Sequence, residues 1–263
     1  MTSPIASFGT FGAAVIGVLG LLVGSFLNVL VHRLPRRESI VSPGSHCPSC
    51  GAPVAAYDNV PVLSWMLLGG RCRTCRAPIT IRYPLIELSN GVLWVLVFRF
   101  AESWGDVASG AFLCSACLAL LFIDADFQIL PDAITLPGIL FGLASSFASA
   151  RRTPLQALAG AALGAGGLFL AAFLYEKIAG REGMGLGDVK MLGMLGALLG
   201  PFGVLVTILA ASLSGSVVGI GLILFREGSG ATRLPFGVFL ALGGIAAWFF
   251  ADPLFARYRM LWP

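Results

Sequence analysis

Eight apolar stretches dominate the chain: residues 9–31, 84–101, 107–124, 133–150, 155–178, 190–200, 202–225 and 235–251. About 20 apolar residues in a helix span a bilayer core, and a helix pairs nearly every main-chain N–H and C=O within one segment. With 57% hydrophobic and 11% charged residues over 263 positions, and a mean hydropathy of +0.89, no soluble globule could enclose this much apolar surface. The expected fold is an all-α polytopic membrane protein of about eight transmembrane helices. The stretch 190–200 is short, and Gly200-Pro201 read as a turn or a kink; a kink would reduce the number to seven. No Lys or Arg precedes Arg33 and the first run exceeds a signal-peptide core, so 9–31 reads as a retained membrane helix.

Charge falls unevenly along this pattern. Residues 32–83 hold seven of the 17 Lys and Arg residues, against only Glu38 and Asp58. With eight spans, the segments 32–83, 125–132, 179–189 and 226–234 emerge on one side, and helix-end residues such as Lys177 and Lys190 join them. The opposite side keeps Arg99, Arg151, Arg152, Arg257 and Arg259. Basic loops stay in the cytoplasm, so 32–83 is expected there, although Arg151 and Arg152 run against the trend. A net charge of +4 makes no case for nucleic acid. Gly160, Gly164 and Gly167 read as small residues for close helix packing.

The long polar loop contains "HCPSCG" at 46–51 and "RCRTCR" at 71–76. Cys47, Cys50, Cys72 and Cys75 form two C-x2-C knuckles separated by 21 residues, the spacing of a structural zinc site. Two disulfides are the alternative, disfavoured in a reducing cytoplasm. Four thiolates fill a tetrahedral shell and leave no open position for a substrate. His46 is a lesser candidate ligand. A third C-x2-C, Cys114 and Cys117, lies inside an apolar run and reads as buried small hydrophobes.

The remaining chemistry is acidic. "FIDADFQILPD" carries Asp124, Asp126 and Asp132 after the third span, and "GMGLGDVKMLG" (183–193) carries Asp188 ahead of the sixth. In the topology above both segments emerge on the same side at similar depth. Ionisable groups at membrane depth are costly and face partners or a wet cavity. Two close carboxylates share a proton, which lets one activate water while the other donates to a carbonyl oxygen. Gly185 and Gly187 would let backbone and substrate approach closely. Asp132 follows Pro131 and reads as a helix-start residue, and Lys190 as a snorkelling cation.

These stretches together closely resemble the bacterial type IV prepilin peptidase family, also called leader peptidase/N-methyltransferase. The resemblance runs through "GSFLNVLVHRLP" (24–35), the loop from Cys47 to Glu87, "IDADFQILPD" (123–132), "GMGLGDVKMLG" (183–193) and "LPFGVFLALGG" (234–244). In the last of these the family often has proline where Val238 stands. The resemblance implies a GxGD-type membrane aspartic endopeptidase with Asp124 and Asp188 as its catalytic pair, Asp126 being an imperfect rival. It implies prepilin or pseudopilin substrates, cleaved after a glycine at the cytoplasmic face of the bacterial inner membrane. It further implies methylation of the new N-terminus with S-adenosylmethionine. The implied organisation is a first transmembrane helix (1–31), a small cytoplasmic four-cysteine zinc domain associated with methyl transfer (32–83) and a transmembrane peptidase domain (84–263). No residue is assigned to the methyl donor; Gly69, Gly70 and Glu87 lie in the region concerned.

Overall fold

The computed structural model describes residues 8–180, 185–225 and 234–261. Arg181, Gly183, Met184, Arg226 and Arg233, which enter the charge pattern and the glycine motif, lie outside the described residues. The chain divides into two compact units, Met1–Phe100 and Ala101–Pro263.

The first unit is built on α1 (Gly9–Arg33) and α3 (Arg82–Phe100), joined by the polar loop, which contains the short helix α2 (Leu63–Leu67). Small residues let α1 and α3 cross closely. A methyl group at Gly20 would stand 2.9 Å from the Gly91 Cα, and one at Gly24 would stand 2.7 Å from the Glu87 Cα. The buried Asn90 side chain donates to the Gly20 carbonyl at 2.7 Å, a polar clasp of the kind that holds helices together in lipid.

The second unit comprises α4 (Trp104–Phe127), α5 (Asp132–Ser145), α6 (Pro154–Ala179), α7 (Leu186–Phe225) and α8 (Phe236–Leu261). Two of these helices start at capping boxes: Ser103 with Asp106 for α4, and Thr153 with Gln156 for α6. The α4 helix is the most enclosed, with 78% of its apolar window buried, against 17% for α6. It packs against α5 and α8, while α7 lies against α5, α6 and α8. The core between them includes Leu113, Leu120 and Ile123 from α4, Met191, Leu195 and Leu198 from α7, and Leu240 from α8. Cys114 and Cys117 are fully buried in it, as small apolar side chains would be.

The windows 190–200 and 202–225 are one helical run broken at a single residue. Gly200 adopts φ 75°, ψ 178°, a conformation open essentially to glycine alone, and Pro201 follows it. Among the described residues, five helices are long and apolar enough to cross a membrane: Gly9–Arg36, Trp104–Phe127, Pro154–Ala179, Leu186–Leu224 and Phe236–Met260. The α5 helix, with its 14 residues, reaches only ~21 Å at 1.5 Å per residue. Of the three glycines expected at a helix contact, Gly160 and Gly164 press on the α7 backbone, whereas Gly167 faces open space.

The two arginines that run against the charge pattern are both engaged within the second unit. The Arg151 guanidinium lies 4.4 Å from the Trp248 ring centre, donates to the Trp248 carbonyl at 3.2 Å and stands 3.6 Å from the Asp252 carboxylate. Arg152 is buried and donates to the Ser145 hydroxyl at 3.1 Å.

Candidate active site and metal cluster

Asp124 sits in the last turn of α4, only 5% exposed. The helix ends just beyond it because Gln128 turns into the left-handed region (φ 53°), its N–H closing on the Asp124 carbonyl at 2.9 Å. The chain then runs through Leu130 and Pro131 into α5. Asp188 is the third residue of α7 and is half-buried, its N–H bonded to the Gly185 carbonyl at 3.2 Å. The two carboxylates, 64 positions apart in sequence, lie close enough for the charge of Asp124 to act directly on Asp188. Asp126, on the same helix as Asp124, is exposed.

Three features around this pair do not follow from the sequence pattern. The start of α8 faces Asp124, and the Val238 N–H donates to Asp124 Oδ2 at 3.1 Å. The Gly237 N–H donates to the same carboxylate. The first N–H groups of a helix have no intrahelical partner, so α8 offers Asp124 donors that cost it no bond of its own. Leu130 fills the space between the glycines: a methyl group would stand 3.1 Å from Leu130 Cβ if placed at Gly187, and 3.0 Å from Leu130 Cδ2 if placed at Gly237. Finally, Lys190 does not snorkel alone. Its ammonium grips both oxygens of Asp132 at 2.8 Å, fastening the first turn of α5 to the second turn of α7.

The cysteine loop belongs to the first unit, and its two knuckles repeat the same local geometry. Cys47 N–H bonds the Ala52 carbonyl at 2.9 Å, and Cys72 N–H bonds the Ala77 carbonyl at the same distance. The bridges His46 to Pro53 and Arg71 to Pro78 flank them. The tight turn needs a left-handed residue, supplied by Gly51 (φ 71°) in the first knuckle and by Arg76 (φ 59°) in the second. The four sulfurs all lie within 4.8 Å of one another. Cys47 and Cys75 are 3.8 Å apart at Sγ, the edge expected of a tetrahedron with Zn–S bonds of about 2.3 Å. Main-chain N–H groups of Cys50 and Ser49 pull the Cys47 thiol down to about 6, favouring the thiolate a metal requires. The donor set therefore fits zinc. His46 stays outside it, its Nδ1 3.0 Å from the Gly44 carbonyl.

The knuckles are braced from the side. Arg73 forms a bidentate pair with Asp58, both contacts at 2.6 Å, and this hydrogen bonding holds the Asp58 carboxyl below the usual carboxylate range. Trp65 of α2 donates from Nε1 to the Ile79 carbonyl at 3.0 Å.

An acid pair at the ends of apolar helices and a four-thiol loop between α1 and α3 define a polytopic helical membrane protein with an insertion whose cysteines could hold a metal ion. Comparison with known proteins narrows this. The family profile described as Bacterial Peptidase A24 N-terminal domain matches residues 18–100, and that of the Type IV leader peptidase family matches residues 111–220. A prepilin leader peptidase/N-methyltransferase of Aeromonas hydrophila is 38% identical over 270 residues, covering 92% of this chain and 91% of that protein. The Pseudomonas aeruginosa protein of the same name is 37% identical over 265 residues, with the same coverage. That of Myxococcus xanthus is 42% identical over 226 residues, covering 86% of this chain and 67% of the relative. The chain belongs to the type IV prepilin leader peptidase family and is an enzyme. No solved structure matches it.

Proposed function

We propose that this chain is an aspartic endopeptidase that removes the leader of type IV prepilins or pseudopilins, with Asp124 and Asp188 as its catalytic pair. The observation that supports the assignment is the placement of these two carboxylates within each other's electrostatic reach, each at the end of an apolar helix. In hydrolysis one carboxylate takes a proton from water as the oxygen attacks the scissile carbonyl. Its partner gives a proton to the carbonyl oxygen. As the tetrahedral intermediate collapses, the first carboxylate passes its proton to the departing nitrogen and the second takes one back from a hydroxyl, so the C–N bond breaks to leave the leader's glycine carboxylate and a new amine. The α8 amides hold the Asp124 carboxylate in place, and the Lys190–Asp132 pair fastens the helix that carries Asp188.

The site faces the cytoplasm and the enzyme lies in the bacterial inner membrane. The charge pattern supports this orientation, and Arg151 and Arg152 weaken it less than their sequence position implies, since both are engaged inside the protein. Residues 84–263 carry the peptidase activity. The loop 32–83, stabilised by zinc on Cys47, Cys50, Cys72 and Cys75, serves methylation of the new N-terminus. S-adenosylmethionine supplies the electrophilic methyl carbon for that step.

Mass spectrometry of a purified prepilin tests the assignment, using wild type, Asp124→Asn and Asp188→Asn with and without S-adenosylmethionine. Wild type alone should remove the leader mass, and the donor should add one methyl mass to the mature product. Cleavage at the wild-type rate by either variant would refute the pair.

A further inference from the structure

The first unit contains a cavity of about 640 Å³ formed by the end of α1, the cysteine loop and the start of α3. Its size lies within the range of small-molecule sites. Ser25, Asn28, Tyr57, Val62, Trp65 and Glu87 are among the side chains that line it. The Glu87 residue is only 8% exposed, so its carboxylate needs compensation. It accepts the Val62 N–H at 2.7 Å and the Ser25 hydroxyl. A carboxylate has about four lone-pair sites, so two donors leave it able to accept more. The two arginines that line the cavity are committed elsewhere: Arg33 donates to the carbonyls of Ser39 and Pro43, and Arg73 to Asp58. The cavity therefore offers a buried acid, with the nearby guanidinium groups turned to other acceptors.

A second, independent feature points to the same place. Val62 adopts φ 63°, ψ −52°, and the Leu63 N–H reaches back to the Pro61 carbonyl at 2.6 Å. This is a γ-turn of the rare, strained kind, and strain is sharpest for a β-branched residue at positive φ. Such conformations persist where the surroundings over-determine them, and they gather at ligand clamps. Here the turn aims the Val62 N–H at Glu87. Beside it the Trp65 ring is fixed by its bond to Ile79 and lies against Gly70, where a methyl group would stand 2.8 Å from it. Tyr57, largely exposed, presents the other aromatic surface, with the Arg73 guanidinium 5.5 Å from its ring centre leaving one face to a ligand.

From this arrangement we infer that the cavity binds the methyl donor, an adenosyl sulfonium compound, with Glu87 receiving its hydroxyl or cationic groups and the Trp65 and Tyr57 rings its flat base. The inference rests on the methyltransferase reading given above. Aromatic faces attract both planar rings and cations, and a buried carboxylate suits a ribose diol or a positive centre.

Calorimetric titration of the full-length detergent-solubilised enzyme with S-adenosylmethionine tests it, alongside hydrogen exchange on the wild type. Glu87→Gln should weaken binding by about tenfold or more, the effect of losing a charge-assisted hydrogen bond. The donor should slow amide exchange in 57–65 and around Glu87. Equal affinity in Glu87→Gln with an unchanged thermal midpoint would overturn the placement. If that variant does not fold, the wild-type exchange pattern decides, and protection confined to other segments overturns it. Protection of these segments by a leaderless pilin peptide but not by the donor would also overturn it, in favour of the substrate amine. A wild type that methylates cleaved prepilin without protection here refutes the site alone. A wild type that neither binds the donor nor methylates refutes the methyltransferase reading as well.

Discussion

Asp124, at the end of α4, accepts a hydrogen bond from the main-chain N–H of Val238, 114 residues further along, at 3.1 Å. The contact ties the start of α8 to one member of the proposed catalytic pair. It uses an amide that an α-helix leaves unpaired in its first turn, so the side chain at 238 has no direct part in it.

Val238→Pro deletes this donor and little else. Proline is tolerated in the first helical turn, where no intrahelical bond is lost, and the Gly237 N–H still reaches the Asp124 carboxylate. Leader cleavage should slow by no more than about tenfold, the rate equivalent of one net hydrogen bond. This also agrees with the proline that the family often places here. A loss beyond about a hundredfold in single-turnover cleavage would instead make the Val238 amide indispensable.

Gly237→Ala should do more damage than Val238→Pro, although alanine is the better helix former. Its methyl group would stand 2.7 Å from Asp124 Oδ2 and 3.0 Å from Leu130 Cδ2, so the carboxylate must move. Misplacing a catalytic group by about 1 Å costs on the order of a hundredfold in rate. We expect a fall of that order in kcat with KM little changed. Gly167→Ala, where nothing lies within 4 Å, should cleave as wild type does. Near-wild-type cleavage by Gly237→Ala would show that the packing of Asp124 against α8 is dispensable.

How much of this was legible in the sequence depended on where the information resides. The clustering of the cysteines could be read because two x2 spacings each fix a pair of thiols locally, and the repeated turn needs only a left-handed residue after each second cysteine. Asp124 and Asp188 could be paired because helix topology brings their ends to one side. The donors from Gly237 and Val238 could not be read, because main-chain amides have no side-chain signature. The Lys190–Asp132 pair, 58 positions apart, was hidden for a different reason. Each residue had a sufficient local explanation, one as a snorkelling cation and the other as a helix-start acid. Gly200-Pro201 reads equally as a turn or a kink, and only the φ and ψ of Gly200 show that the helix resumes directly after it. The strained turn at Val62 runs against residue preference, so no propensity argument would place it there.

Gly160→Val should destabilise the second unit. A Cβ there would collide with the Gly196 carbonyl oxygen and come within 2.8 Å of Gly200 Cα, both main-chain atoms of α7 that cannot rotate away. Overpacking of this kind costs about 1–3 kcal/mol, which should appear as a lowered thermal midpoint in detergent. Gly166→Val on the same helix meets nothing within 4 Å and should leave the midpoint unchanged. Equal midpoints for the two variants would mean that α6 and α7 separate without loss of stability.

Removing the metal should affect the loop before the peptidase. The purified enzyme should contain zinc in a one-to-one ratio, released to a chromogenic chelator when the four thiols are alkylated. Loss of one of four ligands in Cys47→Ser should strip most of it, because structural zinc supplies folding energy of about 10–16 kcal/mol that a small loop has no core to replace. Among the described residues of 32–83, few aliphatic side chains are buried, so the loop should become sensitive to limited proteolysis between Cys47 and Thr80. Leader cleavage should continue, since neither Asp124 nor Asp188 lies in this loop, while methylation of the product should fall. A protease-resistant, metal-free loop would mean that the cysteines hold the fold without zinc. Loss of cleavage together with zinc would make the loop part of the peptidase itself.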